Sequence, residues 1–203
     1  MQEATLNIEN QILNKMKRAR EGTLFFPDNF KSKAGSAALR KALQRLTDNG
    51  YIARVTQGIY TIPEKDSLIG VILPGAEAVA KAIAKRDKAT IVPTGVYALN
   101  KLGLSTQVPL NIVYLTDGAA RKIKVGRQTI KFKKTTPKNL LAKGPVSSLV
   151  IQALKAIGKN KVSPQEIERI NNLLKQEDKL LIKHDMRLAP QWIADILNQS
   201  LNS

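Results

Sequence analysis

The chain has no cysteine and a single histidine, His184, among its 203 residues. Disulfide scaffolds, thiolate zinc sites, iron–sulfur clusters and cysteine nucleophiles are therefore excluded. One imidazole also excludes a His-rich metal site. Aromatic residues are scarce, at 4%, and the 16 acids are outnumbered by 33 lysines and arginines, for a net charge of +17. No apolar run approaches the ~18 residues that a membrane-spanning helix needs. Met1 is followed by Gln2 and Glu3 rather than by a basic stretch and an apolar run. A cytoplasmic protein is expected on that ground. Hydrophobic residues make up 43% of the chain, enough for a packed core. The length suits one domain or two small ones.

The excess of positive charge is uneven. Residues 1–66 hold 11 basic and 7 acidic side chains, residues 67–145 hold 14 and 3, and residues 146–203 hold 8 and 6. A field of this sign attracts polyanions and speeds their encounter, whatever the fold. A solvated basic surface that merely aids solubility is the plainer alternative.

Hydrophobic periodicity predicts a first helix over residues 5–20, with Ile8, Ile12, Leu13, Met16 and Ala19 on one face. Gly22 would stop it, and residues 23–26 read as a short extended piece closed by Pro27. Asp28 would cap a brief helix over residues 29–33. Ser36, a good N-cap residue, precedes Leu39, Ala42, Leu43 and Leu46, a full amphipathic stripe ended by Asn49-Gly50. Residues 51–56 and 59–62 are rich in β-formers and flank Gln57-Gly58, which reads as a hairpin. Residues 63–66 look like a linker. Beyond it, helices over 76–85 and 94–101 alternate with strands over 89–92 and 111–116. A second hairpin pairs 121–125 with 128–132. Four helices close the chain, over 147–157, 163–174, 178–184 and 190–201. Ser163, Pro164 and Glu166 have the spacing of a capping box with proline at the first helical position.

Helix, short extended piece, brief helix, amphipathic helix, hairpin is the element order of a winged helix–turn–helix, in which the helix from Ser36 would read the major groove. If its apolar stripe faces the core, Ala37, Arg40, Lys41 and Gln44 face outward, with Lys33 and Ser36 at its N-terminal end. Arg and Lys can donate to guanine, Gln can pair with adenine, and Ala can touch a thymine methyl. Ser36 at a helix start suits a phosphate. Arg54, Thr56 and Gln57 would form the wing. The bland alternative is a solvated helix face on a protein-interaction module.

Enzyme motifs are missing. No Gly-rich phosphate loop ending in Lys-Ser/Thr occurs, and Pro74-Gly75-Ala76 lacks the glycine spacing of a dinucleotide site. Asp117 stands near Lys122 and Lys124, but residues 67–145 hold too few acids to seat magnesium. Asp117-Gly118 reads as a turn, His184 as a residue near a helix end, where a cation is favoured, and Trp192 as core or interface. Neither an enzyme nor a cofactor is expected.

Three stretches carry a family resemblance. They are Ala38-Leu39-Arg40-Lys41-Ala42-Leu43-Gln44-Arg45-Leu46 running into Asn49-Gly50-Tyr51-Ile52-Ala53-Arg54-Val55, then Gln57-Gly58-Ile59-Tyr60, and finally Pro93-Thr94-Gly95 with Leu102-Gly103-Leu104-Ser105-Thr106-Gln107-Val108-Pro109. On these the sequence resembles the AbiEi-like antitoxins, regulators of bacterial type IV toxin–antitoxin pairs, over roughly residues 6–140. The resemblance implies an autorepressor that binds inverted repeats in its own promoter. It implies too that the C-terminal region counteracts a nucleotidyltransferase-like toxin, possible without a stable complex between the two. By position the DNA readers would be Ser36, Ala37, Arg40, Lys41 and Gln44, with Arg54 and Gln57 in the wing. Charge alone makes Arg121, Lys122, Lys124, Arg127, Lys131, Lys133 and Lys134 candidates for toxin or nucleic-acid contact.

The expectation is an α+β protein. An N-terminal winged helix–turn–helix (1–66) precedes a small, basic, mixed α/β domain (67–145) and a helical C-terminal extension packed on it (146–203). Its partners would be double-stranded DNA and the toxin, with no membrane, as a monomer or a DNA-dependent dimer. An RNA-binding protein that uses the basic middle region, or a pure protein-interaction module, are the competing readings.

Overall fold

A computed structural model of the chain describes residues 2–31 and 35–201, with side chains from Ile8 onward. The architecture is mixed α and β, and it divides into two compact units, Met1–Ala82 and Ile83–Ser203.

The first unit opens with helix α1, Gln2–Lys17. A single 3-10 turn over Pro27–Phe30 follows, then helix α2, Ser36–Asp48. Strands β1, Ala53–Thr56, and β2, Ile59–Thr61, form an antiparallel pair. Its turn uses Gly58 at φ 70, a left-handed conformation that glycine adopts without a Cβ penalty. Phe25 extends the pair through a bridge to Tyr60. The core gathers Ile12 and Met16 from α1, Phe25 and Phe30 from the connection, Leu39, Ala42, Leu43 and Leu46 from α2, and Ile52. The i, i+3, i+4, i+7 stripe of α2 is thus spent wholly on burial.

Local expectations shift in three places here. Gly35, not Ser36, is the N-cap of α2, and it has no side-chain cap bond, so Ser36 is the first helical residue. Pro27 opens the brief helix, with Phe26 rather than Asp28 at its cap, because proline's fixed φ suits a first helical position. Residues 63–66 are not a linker. Strand β3, Glu64–Asp66, pairs with β4, Gly70–Ile72, in a hairpin whose turn is closed by the Asp66 carboxylate accepting from the Leu68 and Ile69 amides. Those two bonds hold the Asp66 carboxyl below its ordinary range. Helix α3, Ala76–Asp87, contains the division between the units.

The second unit holds a four-stranded sheet of order β5-β6-β8-β7. Its strands are Ile91–Thr94, Asn111–Thr116, Arg121–Val125 and Gln128–Lys134 in chain order β5 to β8. The chain passes from β6 to the edge strand β7, turns at Gly126-Arg127, and returns as β8 between them, parallel to β6. β5 runs through Pro93 rather than ending before it. An edge strand tolerates proline, which has no N–H to donate to a ladder.

Helix α4, Val96–Lys101, follows β5; its N-cap is Gly95 rather than Thr94. Helices α5, Pro145–Ile157, α6, Pro164–Leu174, α7, Lys179–Met186, and α8, Gln191–Leu201, complete the unit. Together with Ala98 of α4 and Leu102, which caps it, they form one core around Val150, Leu154, Ile170, Ile182, Ile193 and Leu197, with Trp192 half-buried against it. The capping box forms: Ser163 Oγ accepts from the Glu166 amide, and Glu166 accepts from the Ser163 amide at 2.7 Å.

Helix α5 starts on two buried carboxylates. Asp185, fully buried, accepts from the Lys143 and Gly144 amides at 2.8 and 2.9 Å and from Ser147 Oγ at 2.8 Å. Glu177 accepts from the Val146 and Ser147 amides at 2.6 and 2.9 Å. His184 Nδ1 sits 2.8 Å from Asp185 Oδ1, which gives the lone imidazole a structural partner. Carboxylates at a helix N-terminus satisfy its orphan amides and complement its dipole.

Candidate nucleic-acid interface

Burial of Leu39, Ala42, Leu43 and Leu46 turns the opposite side of α2 to solvent. Ser36, Ala37, Arg40, Lys41 and Gln44 are all exposed. Arg40 Nε donates back to the Ser36 carbonyl at 3.2 Å, which draws its guanidinium along the first turns of the helix. Gln44 is held by Asp48, its Nε2 donating to the carboxylate at 2.8 Å. That carboxylate makes the C-terminal end of the face unfavourable to phosphate. The first turn carries no acid. The cationic half of the face is therefore the N-terminal half. Arg45, next to this face, is engaged by Glu9 at 2.7 Å. Lys33 lies outside the described residues. In the hairpin, Arg54 and Gln57 are exposed and Thr56 is half-buried, with the register shifting between Arg54 and Thr56.

The second basic cluster does not form one surface. Register pairs on neighbouring strands share a sheet face. Lys122 stands opposite Lys131, Lys131 beside Val113, and Lys133 beside Leu115. Lys124, two residues from Lys122, shares that face. Arg121 lies on the other face, opposite Phe132, where its guanidinium covers the Phe132 ring at 5.5 Å and pairs with Asp87. Arg86, first, and Arg121 together hold the Asp87 carboxyl below its ordinary value, against the opposing effect of burial. Lys134, beside Thr116, follows the Arg121 face, and Arg127 occupies the hairpin turn. Four lysines of the seven candidates thus share a face, and three basic residues do not join them. Neither Lys122 nor Lys131 pairs with a carboxylate among the described residues. Like charges directly opposite in a sheet repel, so the facing pair Lys122 and Lys131 would gain from an anionic partner.

The same face continues into a cleft of about 410 Å³ whose walls include Thr94, Lys133, Asn139, Gln152 and Lys155. Lys133 was identifiable from charge; Asn139, Gln152 and Lys155 carry no signal in the sequence, since they come from separate elements. Among the described residues no group of three or more His, Asp and Glu could hold a metal ion. No described helix is long and apolar enough to cross a membrane.

A two-unit, mixed α and β chain with an exposed cationic helix face and a basic sheet face is thereby defined. The chain belongs to the DUF6088 family, described as a family of unknown function, whose model matches residues 11–182. A search of curated proteins gives no match. Among solved structures, the chain is similar to the RV2827C protein from Mycobacterium tuberculosis, known from a crystal structure, with a TM-score of 0.47 and 11% sequence identity over 95% of this chain and 81% of that one.

Proposed function

We propose that the protein is a DNA-binding autorepressor that also serves as the antitoxin of a type IV toxin–antitoxin pair. Its first unit would act as a winged helix–turn–helix, with α2 in the major groove and the β1–β2 turn as the wing. The observation that carries the reading is the division of α2 into a fully buried stripe and an exposed face bearing Ser36, Ala37, Arg40, Lys41 and Gln44. Because Gln44 is tied to Asp48, base readout falls mainly to Arg40 and Lys41, with Ser36 toward a phosphate. The antitoxin role, and the nucleotidyltransferase-like toxin it would counteract, rest on the family resemblance of residues 38–55, 57–60 and 93–109.

Fluorescence anisotropy with the DNA upstream of the protein's own gene, against a scrambled duplex at several salt concentrations, tests the repressor. A preference of ~10³-fold or more is expected. Arg40→Ala should cost ~1–3 kcal/mol of specific binding and relax sequence preference. Equal and steeply salt-dependent binding of both duplexes would refute specific readout, since a +17 chain attracts any phosphate backbone.

A second reading is RNA binding through the sheet face. It is favoured by one observation, the alignment of Lys122, Lys124, Lys131 and Lys133 on that face. Tight binding of structured RNA, lost on Lys131→Ala and unaffected by Arg40→Ala, would select it.

A further inference from the structure

We propose that the cleft between α5 and the lysine-bearing face of the sheet is a binding site for a phosphate monoester carried on a flat ring, the chemistry of a nucleotide. This site lies in the second unit and is independent of the DNA-reading role of α2.

Three features of the cleft select that chemistry. Its volume, about 410 Å³, falls within the range of small-ligand pockets. Its floor is apolar where Val113 and Leu115 of β6 face it, a seat for a planar ring. Its polar wall is built from donors and cations, and among the described residues no Asp or Glu lines it.

The donors are held in place. Gln152 is only 4% exposed, yet it lines the cleft. Its amide oxygen accepts from Thr94 Oγ1 at 3.2 Å. Its NH2 group has no hydrogen-bond partner among the described residues. Gln152 lines the cleft, so an oxygen acceptor bound there would meet this NH2 group. Lys155 is positioned by a short relay: its Nζ donates to Asn139 Oδ1 at 2.9 Å, and Asn139 Nδ2 donates to Thr135 Oγ1 at 2.8 Å. This relay leaves two of the three ammonium protons for a ligand.

Lys133 adds a second cation from β8. Neither it nor Lys155 pairs with a carboxylate among the described residues. Partial burial, and then the nearby charge of Lys138, lower the Lys155 pKa, and a bound dianion would favour its ammonium form. Two point charges, an amide NH2 and the Thr135 hydroxyl around one cavity match the acceptor oxygens of a phosphate.

The phosphate could belong to a free mononucleotide or to the end of a strand. Isothermal titration calorimetry of the full chain with AMP, with inorganic phosphate and with a 5′-phosphorylated tetranucleotide separates the two. Saturable 1:1 binding of AMP is expected, tighter than that of inorganic phosphate because of the apolar floor. Lys155→Gln and Gln152→Leu should each weaken it by about tenfold or more. Lys183→Gln, which removes the same charge from α7 outside the cleft, should leave it unchanged. A tetranucleotide that binds more tightly than AMP, with the same response to the variants, would retain the phosphate site and assign it to a strand end. Absence of saturation with all three probes would overturn the proposal. So would equal weakening by Lys183→Gln and Lys155→Gln, which would reduce the binding to diffuse charge.

Discussion

Removing the Asp185 carboxylate should destabilise the second unit more than any exposed substitution. In Asp185→Ala, the Gly144 amide and the Ser147 hydroxyl lose their acceptor in a buried setting, and the Lys143 amide loses its own in a partly buried one. A stranded buried donor costs ~1–3 kcal/mol. Two such donors, together with the loss of a charge at a helix N-terminus, sum to ~2–7 kcal/mol. Glu177 still accepts from the Val146 and Ser147 amides, so the first turn of α5 keeps half of its anchoring and the lower part of that range is expected. Loss on this scale is a large share of the ~5–15 kcal/mol that stabilises a typical domain. It is felt across the unit because α5 contributes Val150, Ile151, Ala153 and Leu154 to the core shared with α6, α7 and α8. The assay is urea unfolding followed by fluorescence of Trp192, the sole tryptophan, which packs on that core. Such a probe reports the second unit without assuming that both units unfold together. Asp185→Asn keeps one acceptor oxygen but turns an NH2 group toward the amides, and should fall between the parent and the alanine variant. A loss below about 1 kcal/mol in Asp185→Ala would refute the claim that these bonds hold the start of α5.

Leu43→Ala in the first unit removes a fully buried side chain from the stripe of α2 and should cost ~2–5 kcal/mol, seen as a lower urea midpoint by far-UV circular dichroism. Ser163→Ala breaks the capping box of α6 and should cost ~1 kcal/mol by Trp192-monitored unfolding, with little further loss when Glu166→Ala is added. Asp87, whose folded pKa lies below its ordinary 3.8, contributes stability that is present above that value and is lost as pH falls through the folded pKa. Its partners are partly exposed, so Asp87→Asn should cost under ~1 kcal/mol at pH 7. The difference between parent and variant should vanish in acid below the folded pKa, and a difference that grew in acid would reverse the sign.

Much of the local structure is legible in the residues. Strands β6 and β7 have the bounds the sequence predicts, β6 as an apolar run before a turn and β7 as the first arm of a hairpin. The capping box forms at Ser163, and the apolar stripe of α2 is buried residue for residue. The hairpin of β3 and β4 was invisible because its strands are almost wholly exposed, so no apolar alternation marks them. Pairing and the Asp66 turn, rather than burial, hold it together. Proline at position 93 signals a strand end, yet β5 runs through it, because a sequence does not say which strand will be an edge.

The candidate surfaces divide in the same way. The outward face of α2 could be deduced, since Leu39, Ala42, Leu43 and Leu46 leave only one side for Arg40 and Lys41. The seven basic residues from Arg121 to Lys134 could be counted but not sorted. Sorting them needed the parallel register of β8 on β6, and pairing between distant strands leaves no local trace. Nor could residues 94 and 152 be joined across 58 positions of chain. Periodicity, capping and charge act within a few residues, and through them the sequence by itself determined the helices, most strands, the cationic face of α2 and the sign of the chain's own net charge. Strand order, the division at α3 and the cleft between α5 and the sheet arise from contacts between remote segments. Those only the tertiary structure decided, because burial and register are properties of the packed chain.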